Sequence, residues 1–169
     1  TEEYKSLLID DLIYGPGLTA NCPTVKSERI EKVDVMVHDW SAGTVSSADL
    51  PWKDWLYQER YRFLTNLPES VTKDQLKELD DLYNVTATGN NEVLFAWLEQ
   101  SIKKQYQPAY PRVEQFLVSV GRRKFLTPLY RAMKETDQMD MAVDIYSKAR
   151  PNYHSVATGT MDELLKRVN

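Results

Sequence analysis

The sequence predicts an all-α fold, and three observations carry that prediction. No segment alternates apolar and polar residues over more than a few positions, so strand signals are nearly absent. Apolar residues instead recur three and four positions apart in one stretch after another. From about Ser70 onward these stretches follow each other at intervals like those of helical-repeat arrays, with short connections that fold neighbours back as antiparallel pairs. No repeat motif is readable in the letters, so the array rests on rhythm, and an α-solenoid is read ahead of a closed bundle.

Each element has its own signals. Ile30, Val33, Val37 and Trp40 give a first helix over Ser27 to Trp40, with Gly43 as the stop. Trp52, Leu56, Phe63 and Leu67 mark a second, ending near Pro68. Thr72-Lys73-Asp74-Gln75 is a capping box, in which each end satisfies the other's orphan amide, and Leu76, Leu79 and Leu82 form the stripe behind it. A fourth helix opens after Asn90 or Asn91 and carries Leu94, Trp97, Leu98 and Ile102. Pro111 starts a fifth, with Val113, Phe116, Leu117 and Val120 inward and Gly121 as its C-terminal stop. The sixth covers Phe125 to Lys134, with Pro128 near its first turn and Leu129 and Met133 inward. Asp137 caps a seventh bearing Ala142, Ile145, Tyr146 and Ala149, and a last helix runs from about Ser155 to Val168 across Gly159. Trp52, Trp97, Phe116 and Leu117 are expected in the core.

The bulk composition excludes several classes of function. A chain of 169 residues can bury one core, and 42% hydrophobic with 27% charged residues is ordinary for a globular domain. The net charge of −4, with basic and acidic residues well mixed, argues against nucleic acid or an anionic membrane as partner. No apolar run approaches the ~20 residues that span a bilayer, and Thr1 to Asp11 is too acidic for a signal peptide. The single cysteine, Cys22, forms no intrachain disulfide and fits a reducing, cytoplasmic setting. Gly15-Pro16-Gly17 and Pro23 make residues 1–23 read as a linker from an upstream domain, with the helical domain over residues 24–169.

Catalytic parts are few. The two histidines, His38 and His154, fall in different helices and outside any His-Glu-x-x-His pair, so no metal site is expected; His38 reads as a helix-surface or core residue and His154 as a helix start. The acidic pairs Asp10-Asp11 and Asp80-Asp81 are adjacent, and neighbours on a helix point apart. One cluster stands out, Gly121-Arg122-Arg123-Lys124. By charge alone it reads as a surface turn whose cations offset the dipole of the helix before it. The same turn can also aim a planar guanidinium fork and an ammonium at one carboxylate.

Several blocks carry a resemblance to a known family. Asp11-Leu12-Ile13-Tyr14-Gly15-Pro16-Gly17-Leu18, then Tyr83-Asn84 with Asn90, Glu92, Phe95 and Trp97, then Gly121-Arg122, Lys124-Phe125, Pro128-Leu129, Tyr146 and His154 run in the family's order over nearly the whole chain. Together they resemble the C-terminal helical part of the zinc aminopeptidases of the leukotriene-A4 hydrolase type. The resemblance implies a two-layer α-α superhelix, armadillo- or HEAT-like, of about eight to nine helices. It implies that the zinc and its ligands lie in a separate upstream catalytic domain, the natural partner of this one, and that this chain alone holds no catalytic residue, metal or cofactor. Arg122 and Lys124 map onto the family's substrate-carboxylate site for short peptides, which reverses the reading from charge alone. Arg123 departs from the family by replacing an apolar residue, and either faces solvent or an acidic neighbour or widens the anionic pocket. An aminopeptidase parent follows from the resemblance, and these departures leave epoxide hydrolysis open. The competing expectation is a stand-alone α-solenoid that binds a protein partner along an exposed apolar stripe on one layer.

Overall fold

The helical spacing is realised in a computed structural model, which describes residues 2–23 and 26–166; no strand forms among them. The helices are α1 (Glu2–Ser6), α2 (Ile9–Tyr14), α3 (Glu28–Ser41), α4 (Tyr57–Thr65), α5 (Lys73–Tyr83), α6 (Asn91–Lys103), α7 (Tyr110–Ser119), α8 (Arg123–Glu135), α9 (Met139–Ala149) and α10 (Ser155–Leu164). Local chemistry sets several of their starts. The Gln75 amide donates to Thr72 Oγ1 at 3.3 Å and the Thr72 amide to Gln75 Oε1 at 3.0 Å, which closes the capping box of α5. Asn90 Oδ1 accepts from Glu92 and Val93 at the start of α6. His154 caps α10 by accepting the Val156 amide on Nδ1 at 3.2 Å. Gly43, at φ +77, leaves the end of α3 in the left-handed region that glycine tolerates.

Other details differ from the sequence expectation. Helix α4 begins at Tyr57; Trp52 lies in the turn before it, where the Trp55 amide bonds Pro51 O, and Leu56 is an exposed N-cap. Leu82 is also exposed, because the inward face of α5 runs from Leu76 and Leu79 to Tyr83 and Leu82 points away from it. Helix α7 ends in extended backbone at half-buried Val120, and Gly121 is absent from the left-handed glycines, so it is not a helix-stop residue. Asp137, at φ +57, closes α8 in the left-handed region, and Gln138 stands at the N-cap of α9. Pro128 sits inside α8, past its first turn, and having no N–H it cannot bond the Lys124 carbonyl. Val168 lies outside the described residues.

The helices stack in two layers. Helices α4, α6, α8 and α10 pack side by side in one row, α7 and α9 pack together in the other, and α3–α4, α6–α7 and α8–α9 contacts join the layers. Long polar bonds show that the row runs parallel. Lys104 Nζ donates to Pro68 and Glu69 carbonyls, Gln138 Nε2 to Ile102 O, and Lys134 Nζ to Leu164 O, all joining C-terminal ends. Lys124 Nζ donates to the Glu92 carboxylate, joining N-terminal ends. The N-caps Leu56, Asn90, Arg122 and His154, spaced 32 to 34 residues apart, therefore lie along one edge.

Between the layers lies a continuous apolar core that includes Trp52, Trp97, Phe116 and Leu117, as expected. The aromatic side chains interlock within it: Trp52 stacks on Tyr83 at 5.4 Å and meets Phe63 edge-on at 6.0 Å. Polar groups at the core's margin are satisfied in networks. Asp80 accepts from the Thr86 amide, Thr86 Oγ1 and Tyr106 OH, while Trp97 Nε1 donates to the same Thr86 oxygen. Burial, followed by the charge of Asp80, pushes the Tyr106 hydroxyl up to about 12. Residues 2–23, read as a linker, form the short helices α1 and α2, and neither buries a residue.

Two expectations follow for stability. Replacing Asp80 with Ala strands three donors and should lower unfolding free energy by about 1–3 kcal/mol, read from a urea melt. Asp162 holds the last helix to α9: it accepts Arg150 Nε and Nη2 at 3.1 and 2.9 Å and Tyr146 OH at 2.6 Å. The Arg150 hydrogen bonds first, then Tyr146, pull its carboxyl down to about 2. Because the folded value lies below the unfolded value near 3.8, this contribution is present above pH ~4 and is lost as pH falls through ~2. Asp162→Asn should therefore flatten the acid limb of stability measured between pH 5 and pH 2, while an unchanged acid limb would exclude this role.

Candidate carboxylate-binding site

The Gly121–Lys124 turn enters α8, so its cations occupy the opposite helix end from the one expected. Arg122 is the N-cap of α8, Arg123 and Lys124 lie in its first turn, and that turn contains no acidic residue. Positive side chains at a helix N-terminus oppose its dipole, at a cost of about 0.3–1 kcal/mol each. Parallel packing places three further helix N-termini along the same edge, each with outward N–H groups and partial positive charge. Charge is thus concentrated here against local preference.

Phe125 positions two of these cations. Its ring is buried between Phe95 (5.2 Å) and Phe116 (5.7 Å), which fixes the start of α8 against α6 and α7. The Arg122 guanidinium lies 5.5 Å and Lys124 Nζ 5.3 Å from the centre of that ring. Both face Glu92 in the first turn of α6. Lys124 Nζ reaches the two Glu92 carboxylate oxygens at 2.7 and 2.6 Å, whereas Arg122 Nη1 stands off at 3.9 Å. The Arg122 side chain is 65% exposed, so its planar fork is open to an incoming carboxylate.

Arg123 does not join this pair. It lines an open groove of about 700 Å³ between α8 and α10, with Arg131, Lys134, Ser155 and Glu163 among its walls. The structure thus brings Arg122 and Lys124 together and turns Arg123 aside. Glu92 and Phe125 belong to the blocks that resemble the family, but nothing in the letters assigns either a role; the local signal for Glu92 is an acid in the first turn of α6. His38 is exposed on α3, and His154 serves as a helix cap. Cys22 is exposed. Among the described residues, no three His, Cys, Asp or Glu side chains converge as a metal site, and no helix is long and apolar enough to cross a membrane.

Residues 55–165 match the sequence model of the family described as leukotriene A4 hydrolase, C-terminal. The chain belongs to that family. It is 30% identical over 168 residues to leucine aminopeptidase 2 of Yarrowia lipolytica, an alignment covering 92% of this chain and 26% of that protein. Leucine aminopeptidase 2 of Pyricularia oryzae is 25% identical over 146 residues, covering 85% and 24% of the two chains. The structure of native yeast LTA4 hydrolase superposes with a TM-score of 0.78 at 21% identity, covering 98% of this chain and 30% of that one. The superposition establishes the leukotriene A4 hydrolase C-terminal fold, an α-α superhelix, and the chain spans 24% to 26% of the length of these aminopeptidase relatives.

The aromatic support of the site is testable by itself. Phe125→Ala should destabilise this family member by about 3–5 kcal/mol in chemical denaturation, because a fully packed ring is removed from between two others. A loss under 1 kcal/mol would show that Phe125 does not anchor the start of α8.

Proposed function

We propose that this chain is the C-terminal domain of a zinc-dependent aminopeptidase, where it walls the substrate cleft and holds the carboxylate of a short peptide. The observation that carries this reading is the exposed guanidinium fork of Arg122. It sits beside Lys124, on the edge where parallel helix N-termini converge. The Arg122 fork donates two parallel N–H bonds to the carboxylate oxygens, and Lys124 adds a point charge. Held in this way, the far end of the peptide is fixed relative to its scissile bond, which raises the fraction of substrate in a reactive pose. The same anchor suits the carboxylate of a lipid, so epoxide hydrolysis is a substrate question for the parent enzyme.

The described residues offer no donor set that fits zinc, so in this proposal the metal and the catalytic groups belong to the upstream domain. Bound there, zinc would supply Lewis-acid activation of water and of the scissile carbonyl. The upstream domain is also the proposed partner of this one, and the exposed lone cysteine supports a cytoplasmic setting. A free-standing interaction module would show an apolar stripe along one layer. Among the described residues, large exposed apolar side chains gather instead at Tyr4, Leu7, Leu12, Ile13, Tyr14 and Leu18, within the segment read as a linker, while Val35, Leu56, Tyr57, Leu82 and Val156 are spread over four different helices and their caps.

In the intact parent, Arg122→Ala should lower kcat/KM on short peptides by about ten- to a hundredfold. Lys124→Ala should cost less, since Glu92 already occupies its ammonium, and Arg123→Ala should do little. Amidating the peptide's C-terminus should erase most of the difference between wild type and Arg122→Ala. An equal loss on the amide would make Arg122 a structural residue and overturn the proposal.

A further inference from the structure

We infer that Glu92 is a resident carboxylate that occupies Lys124 and thereby restricts the site to ligands bearing a single terminal carboxylate. This rests on the carboxylate reading of Arg122 and Lys124 and adds a specificity determinant to it. The geometry is unequal. Both oxygens of Glu92 lie at 2.6–2.7 Å from Lys124 Nζ, so the ammonium is committed, while Arg122 at 3.9 Å makes no hydrogen bond to Glu92. Glu92 is held at the start of α6 by the Asn90 cap, and its side chain is only 29% exposed, so it is a fixed part of the site.

The charge balance then decides the ligand. Arg122 and Lys124 supply two positive charges and Glu92 removes one, which leaves a local net charge of +1. Arg123 does not restore the second, because it lines the α8–α10 groove. One carboxylate matches this balance, with the Arg122 fork as its direct partner. A second carboxylate on the same ligand, such as that of a C-terminal Asp, would approach Glu92 and meet like-charge repulsion with no free cation to answer it. Neutralising Glu92 should release Lys124 and open the site to dicarboxylates. The ligand class is thus set by this one side chain.

The test uses this chain and three small probes: N-acetyl-alanine, N-acetyl-alaninamide and N-acetyl-aspartate. Binding is followed by NMR at the Arg122 Nε–H resonance, in wild type, Glu92→Gln and Glu92→Asp. In wild type, N-acetyl-alanine should perturb Arg122, the amide should not, and N-acetyl-aspartate should bind no more than about twofold better. In Glu92→Gln, N-acetyl-aspartate should gain about tenfold or more over N-acetyl-alanine, since one further charge-assisted bond becomes available. Glu92→Asp keeps the charge and should keep the wild-type preference, which covers the case in which Glu92→Gln fails to fold: a preference for N-acetyl-aspartate in Glu92→Asp would then overturn the inference. If Glu92→Gln folds and its preference matches wild type, the role of Glu92 is overturned and the carboxylate reading stands. If no carboxylate perturbs Arg122 in any protein, the carboxylate reading fails and this inference with it.

Discussion

The structure depends on a repeating offset of 30 to 36 residues between side chains and the backbone or side-chain partners they reach. Gln75 reaches back to the Trp40 carbonyl, Tyr83 to Ser47, Lys104 to Pro68, Gln138 to Ile102, Lys148 to Glu114 and Tyr153 to Leu117. Each bond ties one helical unit to the unit before it. No unit could bury its apolar face alone, and each is completed by its neighbour, as in other helical arrays. Because the offset is nearly constant, α4, α6, α8 and α10 pack side by side with like ends together.

That register produces the candidate site. Parallel neighbours bring the first turns of α6 and α8 together, which is why Glu92 and Lys124 meet across 32 residues of sequence. The same alignment collects helix N-termini on one edge, where their dipoles favour an anion. Phe125 converts this broad edge into a defined place, since its buried ring has both the Arg122 and the Lys124 cation within 5.5 Å of its centre. An antiparallel or slipped row would put a C-terminal carbonyl end beside Arg122 and remove the preference. In this account fold and ligand chemistry are consequences of one stagger.

What was legible in the sequence follows from distance along the chain. The Thr72–Gln75 capping box and the Asn90 cap are decided within three residues; the box is legible as such, and the start of α6 to within one position, at Asn90 or Asn91. Buried Trp97, Phe116 and Leu117 followed from apolar spacing on single helices. Misreadings arose where the outcome depends on remote neighbours or on one backbone angle. Leu56 and Leu82 continue apolar stripes but have no unit packed over them, and Asp137 takes a positive φ that shifts the cap to Gln138. For the site, resemblance pointed to Arg122 and Lys124, and the charge pattern alone favoured a solvated turn. That Glu92 holds Lys124 and that Arg123 turns toward α10 are not legible in the letters, which carry no repeat that would align position 92 with position 124.

If this edge of the row faces substrate, its guanidinium meets a carboxylate there. A crystal structure of the intact parent enzyme with an uncleaved short peptide tests it most directly. The peptide's terminal carboxylate should lie within hydrogen-bond distance of the Arg122 guanidinium, with Lys124 still bound to Glu92 and Arg123 turned toward α10. A carboxylate bound elsewhere, or an upstream domain packed over Arg122 so that no ligand can reach it, would contradict the account.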